Sequence, residues 1–217
     1  MAHRHFYREE VRRRAIATIQ QIEAKTAVQV VVALRSHAGD YRAADYLAGF
    51  AVALGVLAAL LYLPIPFGLH SVPIDTFVGF VVGAAVCART DSLRRLLTPR
   101  RRRAEATHRA ACEAFLDGSL SKTKSRLCVL VFVGMLEHCV EIISDVGVDV
   151  AALGTEWTQA VAALHASLAG VPDVEEFILA LQRLGPPLQR VHPRGTTPVE
   201  ELPDELPDAS GDRERRP

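Results

Sequence analysis

The stretch Leu47–Phe67, LAGFAVALGVLAALLYLPIPF, runs 21 residues without a charge. A helix rises about 1.5 Å per residue, so ~20 apolar residues cover the hydrocarbon core of a bilayer. Core helices of water-soluble domains seldom run so far without a polar face. The stretch therefore reads as a membrane span. A second apolar segment, Val72–Ala88, is shorter and carries Asp75 near its start. Alone, it is ambiguous between a short span and a re-entrant segment.

The charges on either side resolve that ambiguity. Eight Lys and Arg precede the first span, from Arg4 to Arg42. Seven more follow the second, including Arg94, Arg95 and the run Arg100, Arg101, Arg102, Arg103. The connector 64–75 has none. Cationic flanks are retained in the cytoplasm, so both ends belong inside and the connector outside. Asp75 then falls at the outer interface, where its carboxylate stays hydrated. Over the whole chain the formal charge is zero. Residues 1–103 nevertheless hold 15 Lys and Arg against 7 Asp and Glu, and the remainder 10 against 18. A basic first half points to an anionic partner. The apolar runs between the arginines make that partner the anionic headgroups of a lipid bilayer. Nucleic acid is not expected, because no interleaved aromatics or recognition module accompany the arginines.

Around this hairpin the periodicity is that of an α/β domain. Val11, Ala15, Ile19 and Ile22 recur at helical spacing. Val28 to Leu34 alternates as a strand with one face well buried. A helix is expected over 101–116 and a central strand over Leu127–Met135, whose unbroken apolar run suits burial on both faces. Glu137-His138 reads as a solvated turn into an edge strand, Val140–Asp145. Thr155 is placed as the N-cap of one helix, and Asp173 with Glu176 as the capping box of the next. Gly185-Pro186-Pro187 is expected to break that second helix. Strands lie before and after the hairpin, and an unpaired strand is unstable in water. All of them should therefore share one sheet on one side, which again requires two crossings. The resulting expectation is a small mixed sheet of three to four strands with helices on both faces, interrupted by a two-helix transmembrane hairpin. Residues 1–45 and 89–190 form the α/β domain, 46–88 the hairpin, and 191–217 a disordered charged tail. The first two strands should be parallel through a right-handed crossover, the third antiparallel beside the second.

Chemistry is sparse. The four cysteines (87, 112, 128, 139) form no C-x-x-C pair and match no zinc spacing. They read as small buried hydrophobes in a reducing compartment, and Cys128 and Cys139 fall too many rungs apart to bridge. The N-terminal residues lack the apolar core of a signal peptide. There is no phosphate-binding or dinucleotide-binding glycine loop. One polar cluster is expected at the membrane-distal end of the sheet: Thr26, Thr123, Ser125 and Arg126 with Asp145 and Asp149. Its oxygens suit Ca²⁺ or Mg²⁺, with Asp145 and Asp149 as ligands. The blander reading of the same groups, and the favoured one, is that Asp145 pairs with Arg126 or caps a turn.

Several local motifs resemble TPM-domain proteins, a family that includes a thylakoid lumen phosphatase, a photosystem II repair protein and an acetylcholine-receptor modulator. They are Ile22-Glu23-Ala24-Lys25-Thr26 leading into Val28–Leu34, and Leu127–Leu136 with its hairpin to Val140–Asp145. A bacterial membrane-bound subgroup is similar at Gly39-Asp40-Tyr41, Thr123–Arg126, Glu156-Trp157, His192-Pro193-Arg194 and Glu201-Leu202-Pro203-Asp204. The resemblance implies a three-layer α/β domain, with phosphatase activity or metal binding in some members and adaptor roles in others. The glycine-rich step typical after the last strand reads Ser144-Asp145-Val146-Gly147 here. The expectation is therefore a non-enzymatic interaction module of unidentified protein partner, tethered with both termini cytoplasmic at a bacterial inner membrane. A metal-dependent phosphatase is the alternative, and a small transport subunit a third class.

Overall fold

The computed structural model describes residues 9–62, 68, 70–118, 120 and 125–195. The chain divides into two compact units, Met1–Ala38 with Ala104–Pro217, and Gly39–Arg103.

The first unit is a mixed α/β layer structure. Its elements are α1 (Glu9–Glu23) and β1 (Gln29–Arg35) before the second unit. The second unit contains α2 (Arg42–Tyr62), α3 (Ser71–Arg89) and α4 (Asp91–Leu97). Then come α5 (Arg100–Asp117), β2 (Cys128–Gly134), β3 (Cys139–Ser144), α6 (Val150–Leu168), α7 (Val174–Gln182) and α8 (Gly185–Val191). The sheet order is β1-β2-β3, with β1 and β2 parallel and β2 and β3 antiparallel. All seven residues of β2 are buried, as the apolar run demanded. β3 is more exposed and forms an edge.

Strand alternation sorts side chains into two cores. Val30 and Val32 of β1 and Val129, Val131 and Val133 of β2 point to one face, where Ile19, Trp157, Leu164, Phe177, Leu181 and Leu188 pack on them. Val31, Ala33, Cys128, Leu130 and Phe132 point to the other, under Ala110, Ala111, Ala114 and Phe115 of α5. Each buried branched aliphatic or phenylalanine in these layers contributes about 1.5–3 kcal/mol by leaving water. β1 is thus buried on both faces, not on one, because α5 returns over it. At its outer edge the Val30 N–H is satisfied by the Glu23 carboxylate at 2.8 Å.

Four local expectations need correcting. Thr155 does not open its helix: Asp149 does, accepting the Ala152 N–H at 3.1 Å. Thr155 follows a kink at Gly154, whose φ of +73° favours glycine. Gly185-Pro186-Pro187 starts a helix instead of only ending one, since proline suits the first turn, where its missing N–H has no partner to lose. The chain beyond Val191 begins as ordered structure. Pro193 bridges Thr26, and the Arg194 guanidinium donates to the Glu23 carbonyl at 2.8 Å. The acidic stretch from 196 onward, including the Glu201–Asp204 motif, lies outside the described residues.

Glu137 is the fourth. It was expected in water at a turn, yet it is 1% exposed and accepts the Ala38 N–H at 2.8 Å. Gly134 makes room for it: a Cβ there would lie 2.6 Å from Oε2. His138 beside it takes a positive φ of 53° to close the turn.

Candidate functional site

The second unit is a helical hairpin built from small residues inward and large apolar residues outward. Gly49, Gly79 and Gly83 lie at its seam. A Cβ on Gly49 would meet the Phe80 ring and carbonyl at 2.8 Å, and one on Gly83 would meet Val52 at 2.8 Å. Only glycine lets the two backbones approach so closely, and small-residue seams are how helices pack in lipid, where leaving water supplies no drive. Phe50 and Phe80 add an edge-to-face contact at 5.1 Å.

The outward face is the reverse of a soluble helix pair. Leu54 and Phe77 are 65% and 66% exposed, with Phe50, Leu61 and Ile74 similarly bare. Only 28% of an apolar 18-residue window in the first helix and 17% of one in the second is buried. A core helix of a soluble protein would be mostly covered. Both helices are long and apolar enough to cross a membrane.

The charge-free run is only part of the first helix, which starts at Arg42 and carries Asp45 in its first turn. Asp45 is buried, and Arg94 of α4 grips it with two hydrogen bonds, 2.9 and 2.6 Å. The bond to the carboxylate raises the guanidinium pKa further above its ordinary value. Arg94, expected among the headgroup contacts, is therefore held within the hairpin, because a buried carboxylate requires a paired cation. Arg100, Arg101 and Arg102 are exposed, while Arg95 and Arg103 are half-buried.

At the end of the sheet in the first unit, Thr26, Asp145 and Asp149 each hydrogen-bond within the fold. The Thr26 hydroxyl donates to the His192 carbonyl at 2.7 Å and accepts the Val28 N–H at 3.2 Å. It anchors the exit of α8 to the start of β1. Asp149 caps α6, and its N–H donates to His192 Nε2 at 3.3 Å. Asp145 is buried, lies 3.7 Å from the Arg126 guanidinium, and accepts the Val146 N–H at 2.7 Å. Its Oδ2 has no hydrogen-bond partner among the described residues. Arg126 has a φ of 55°, and Gly147 sits so tightly against it that a Cβ would lie 2.5 Å from the Arg126 carbonyl. That contact gives a steric reason for glycine in the Ser144–Gly147 step. Thr123 lies outside the described residues. Asp145 and Asp149 are brought to the same loop, but among the described residues no three His, Cys, Asp or Glu side chains are grouped to hold a metal ion.

The cysteines divide into two kinds. Cys87 and Cys128 are buried, and burial pushes the Cys128 thiol up to about 12, so it stays protonated. Cys112 and Cys139 are half-exposed, contrary to the expectation of four buried hydrophobes. All four are free thiols.

The NMR structure of the BA42 protein from the psychrophilic bacterium Bizionia argentinensis is similar to this chain over 92% of each chain, with a TM-score of 0.54 and 12% sequence identity. At that identity the likeness carries the fold alone. No family model matches the chain, and no curated protein matches it by sequence.

Proposed function

We propose that this protein is a membrane-tethered module of TPM type, held by its hairpin in a bacterial inner membrane, whose α/β unit docks a protein partner on the cytoplasmic side. The observation that supports this most is the reversed hairpin, with glycines at the seam and large apolar side chains outside. In water that surface would aggregate; in lipid it is solvated. The arginine asymmetry supports both ends inside, with the run from Arg100 to Arg103 on anionic headgroups at about 1 kcal/mol per cation near the surface. Docking in place of chemistry is supported by Thr26 and Asp149, whose side chains bond the backbone around them.

The test has two parts. Cysteine introduced at His70 of an otherwise cysteine-free chain should react with an impermeant maleimide added outside intact cells, whereas cysteine at Arg194 should not. Recovery in the soluble fraction, or the opposite labelling, would reject the tether. In-membrane crosslinking with mass spectrometry should then return one dominant partner. Phosphomonoester turnover by the purified chain, lost on Asp145→Ala, would replace the docking role with an enzymatic one.

A further inference from the structure

His108 and Cys112 lie one turn apart on α5, so their side chains share a face. Cys112 Sγ is 3.7 Å from His108 Nε2, within reach of a thiol hydrogen bond. On the far side of the ring, Nδ1 is 2.8 Å from Oε1 of Glu141, which β3 supplies. The three groups are connected in the order sulfur, imidazole, carboxylate. In the neutral ring, donation from Nδ1 to the Glu141 carboxylate leaves the Nε2 lone pair facing the thiol. That order is the one by which a base activates a nucleophile and is itself held by a third group.

We propose that Cys112 is a hydroperoxide-reactive thiol, with His108 as its proton acceptor and donor and Glu141 as the residue that positions His108. Cys112 Sγ gives its proton to Nε2, and the thiolate attacks the terminal oxygen of the peroxide. A sulfur–oxygen bond forms as the oxygen–oxygen bond breaks. The departing hydroxide or alkoxide takes the proton back from Nε2. Cys112 becomes a sulfenic acid, the first step of thiol oxidation, and water or an alcohol leaves. Sulfur loses two electrons and the peroxide gains them.

The setting favours a peroxide over an acyl substrate. Cys112 is inside a helix running to Asp117, so nearby backbone N–H groups bond within the ladder and offer no hole for an acyl oxyanion. A peroxide builds charge on its leaving oxygen, and the proton that Nε2 takes from the thiol can neutralise it. The site is also accessible, with the His108 side chain 59% exposed. Other charges on the neighbouring elements are Arg100 to Arg103, Glu105, Arg109, Glu113 and Asp117 on α5 and Arg35 on β1, whose guanidinium lies 3.9 Å from Glu113. β2 contributes none.

The full chain in lipid nanodiscs is exposed to hydrogen peroxide in one arm and to a lipid hydroperoxide in another. Sulfenic acid is trapped with dimedone and located by mass spectrometry, with the half-exposed Cys139 as internal comparator. Cys112 should label faster than Cys139 by on the order of tenfold or more, the scale of one positioned acid–base group. His108→Gln should remove that advantage. Glu141→Gln should reduce it, and Glu141→Asp should restore part of it. The pH profile of iodoacetamide alkylation at Cys112 should move to higher pH in His108→Gln. Faster labelling in the first arm marks a soluble peroxide as the oxidant, and in the second a membrane-borne one. Labelling of Cys112 no faster than Cys139 in both arms, or unchanged in a folded His108→Gln variant, would overturn the proposal.

Discussion

Replacing Thr26 by valine keeps the shape of the side chain and removes only its hydroxyl. The structure shows what each partner of that hydroxyl loses. The His192 carbonyl keeps the Ala27 N–H at 2.9 Å, and the Leu188 carbonyl keeps the His192 N–H at 2.8 Å. The Val28 N–H, which the hydroxyl accepts at 3.2 Å, is left alone beside a buried side chain. An orphaned buried donor costs about 1–3 kcal/mol. For a chain of this size each kcal/mol lowers the melting temperature by about 2–4 °C, so Thr26→Val should melt roughly 2–12 °C lower. Thr26→Ser keeps the hydroxyl and loses one buried methyl, about 0.8 kcal/mol, and should melt above the valine variant. The chain has one tryptophan, Trp157, buried in the core on the α1 face of the sheet, so its fluorescence reports unfolding of this unit. A valine variant as stable as the parent, or more stable than the serine variant, would show that the hydroxyl does not tie the chain exit to the sheet.

Two further outcomes follow from the same structure. Gly83→Val should lower the resistance of the hairpin to sodium dodecyl sulfate unfolding by about 1–3 kcal/mol, because the new side chain overpacks Val52. Gly55→Val, at a position with nothing within 4 Å, should leave it unchanged in the same circular-dichroism titration. The exposed Arg14–Glu175 pair holds the Glu175 carboxyl below its usual pKa through the guanidinium hydrogen bonds. A depressed carboxylate stabilises above its unfolded pKa and loses that effect as pH falls through the folded one. The small melting gap between parent and Glu175→Gln should therefore be present at pH 7, close in acid, and shrink in high salt.

Much of the architecture was legible because it repeats locally. The apolar run of β2 announced a strand covered twice, and Asp173 announced its helix, accepting the Glu175 N–H at 2.8 Å. The sheet-end cluster was legible as a set of residue types, but their employment was not. Asp149 reads equally as ligand or cap until α6 is seen to start at Val150. Likewise, His108 and Cys112 display helical spacing in the chain, yet nothing local marks Glu141 as the third member.

Sequence by itself determined that two apolar runs of membrane length interrupt an α/β pattern, because run length and periodicity are properties of neighbouring residues. Only the tertiary structure decided which polar groups are buried and whom they meet. Glu137 is buried because residue 38 supplies a donor 99 positions away, and Thr26 is a tie because residue 192 returns to it across 166. Such partnerships depend on strand register and on where a distant segment comes back, and most buried polar groups are satisfied by a return of that kind.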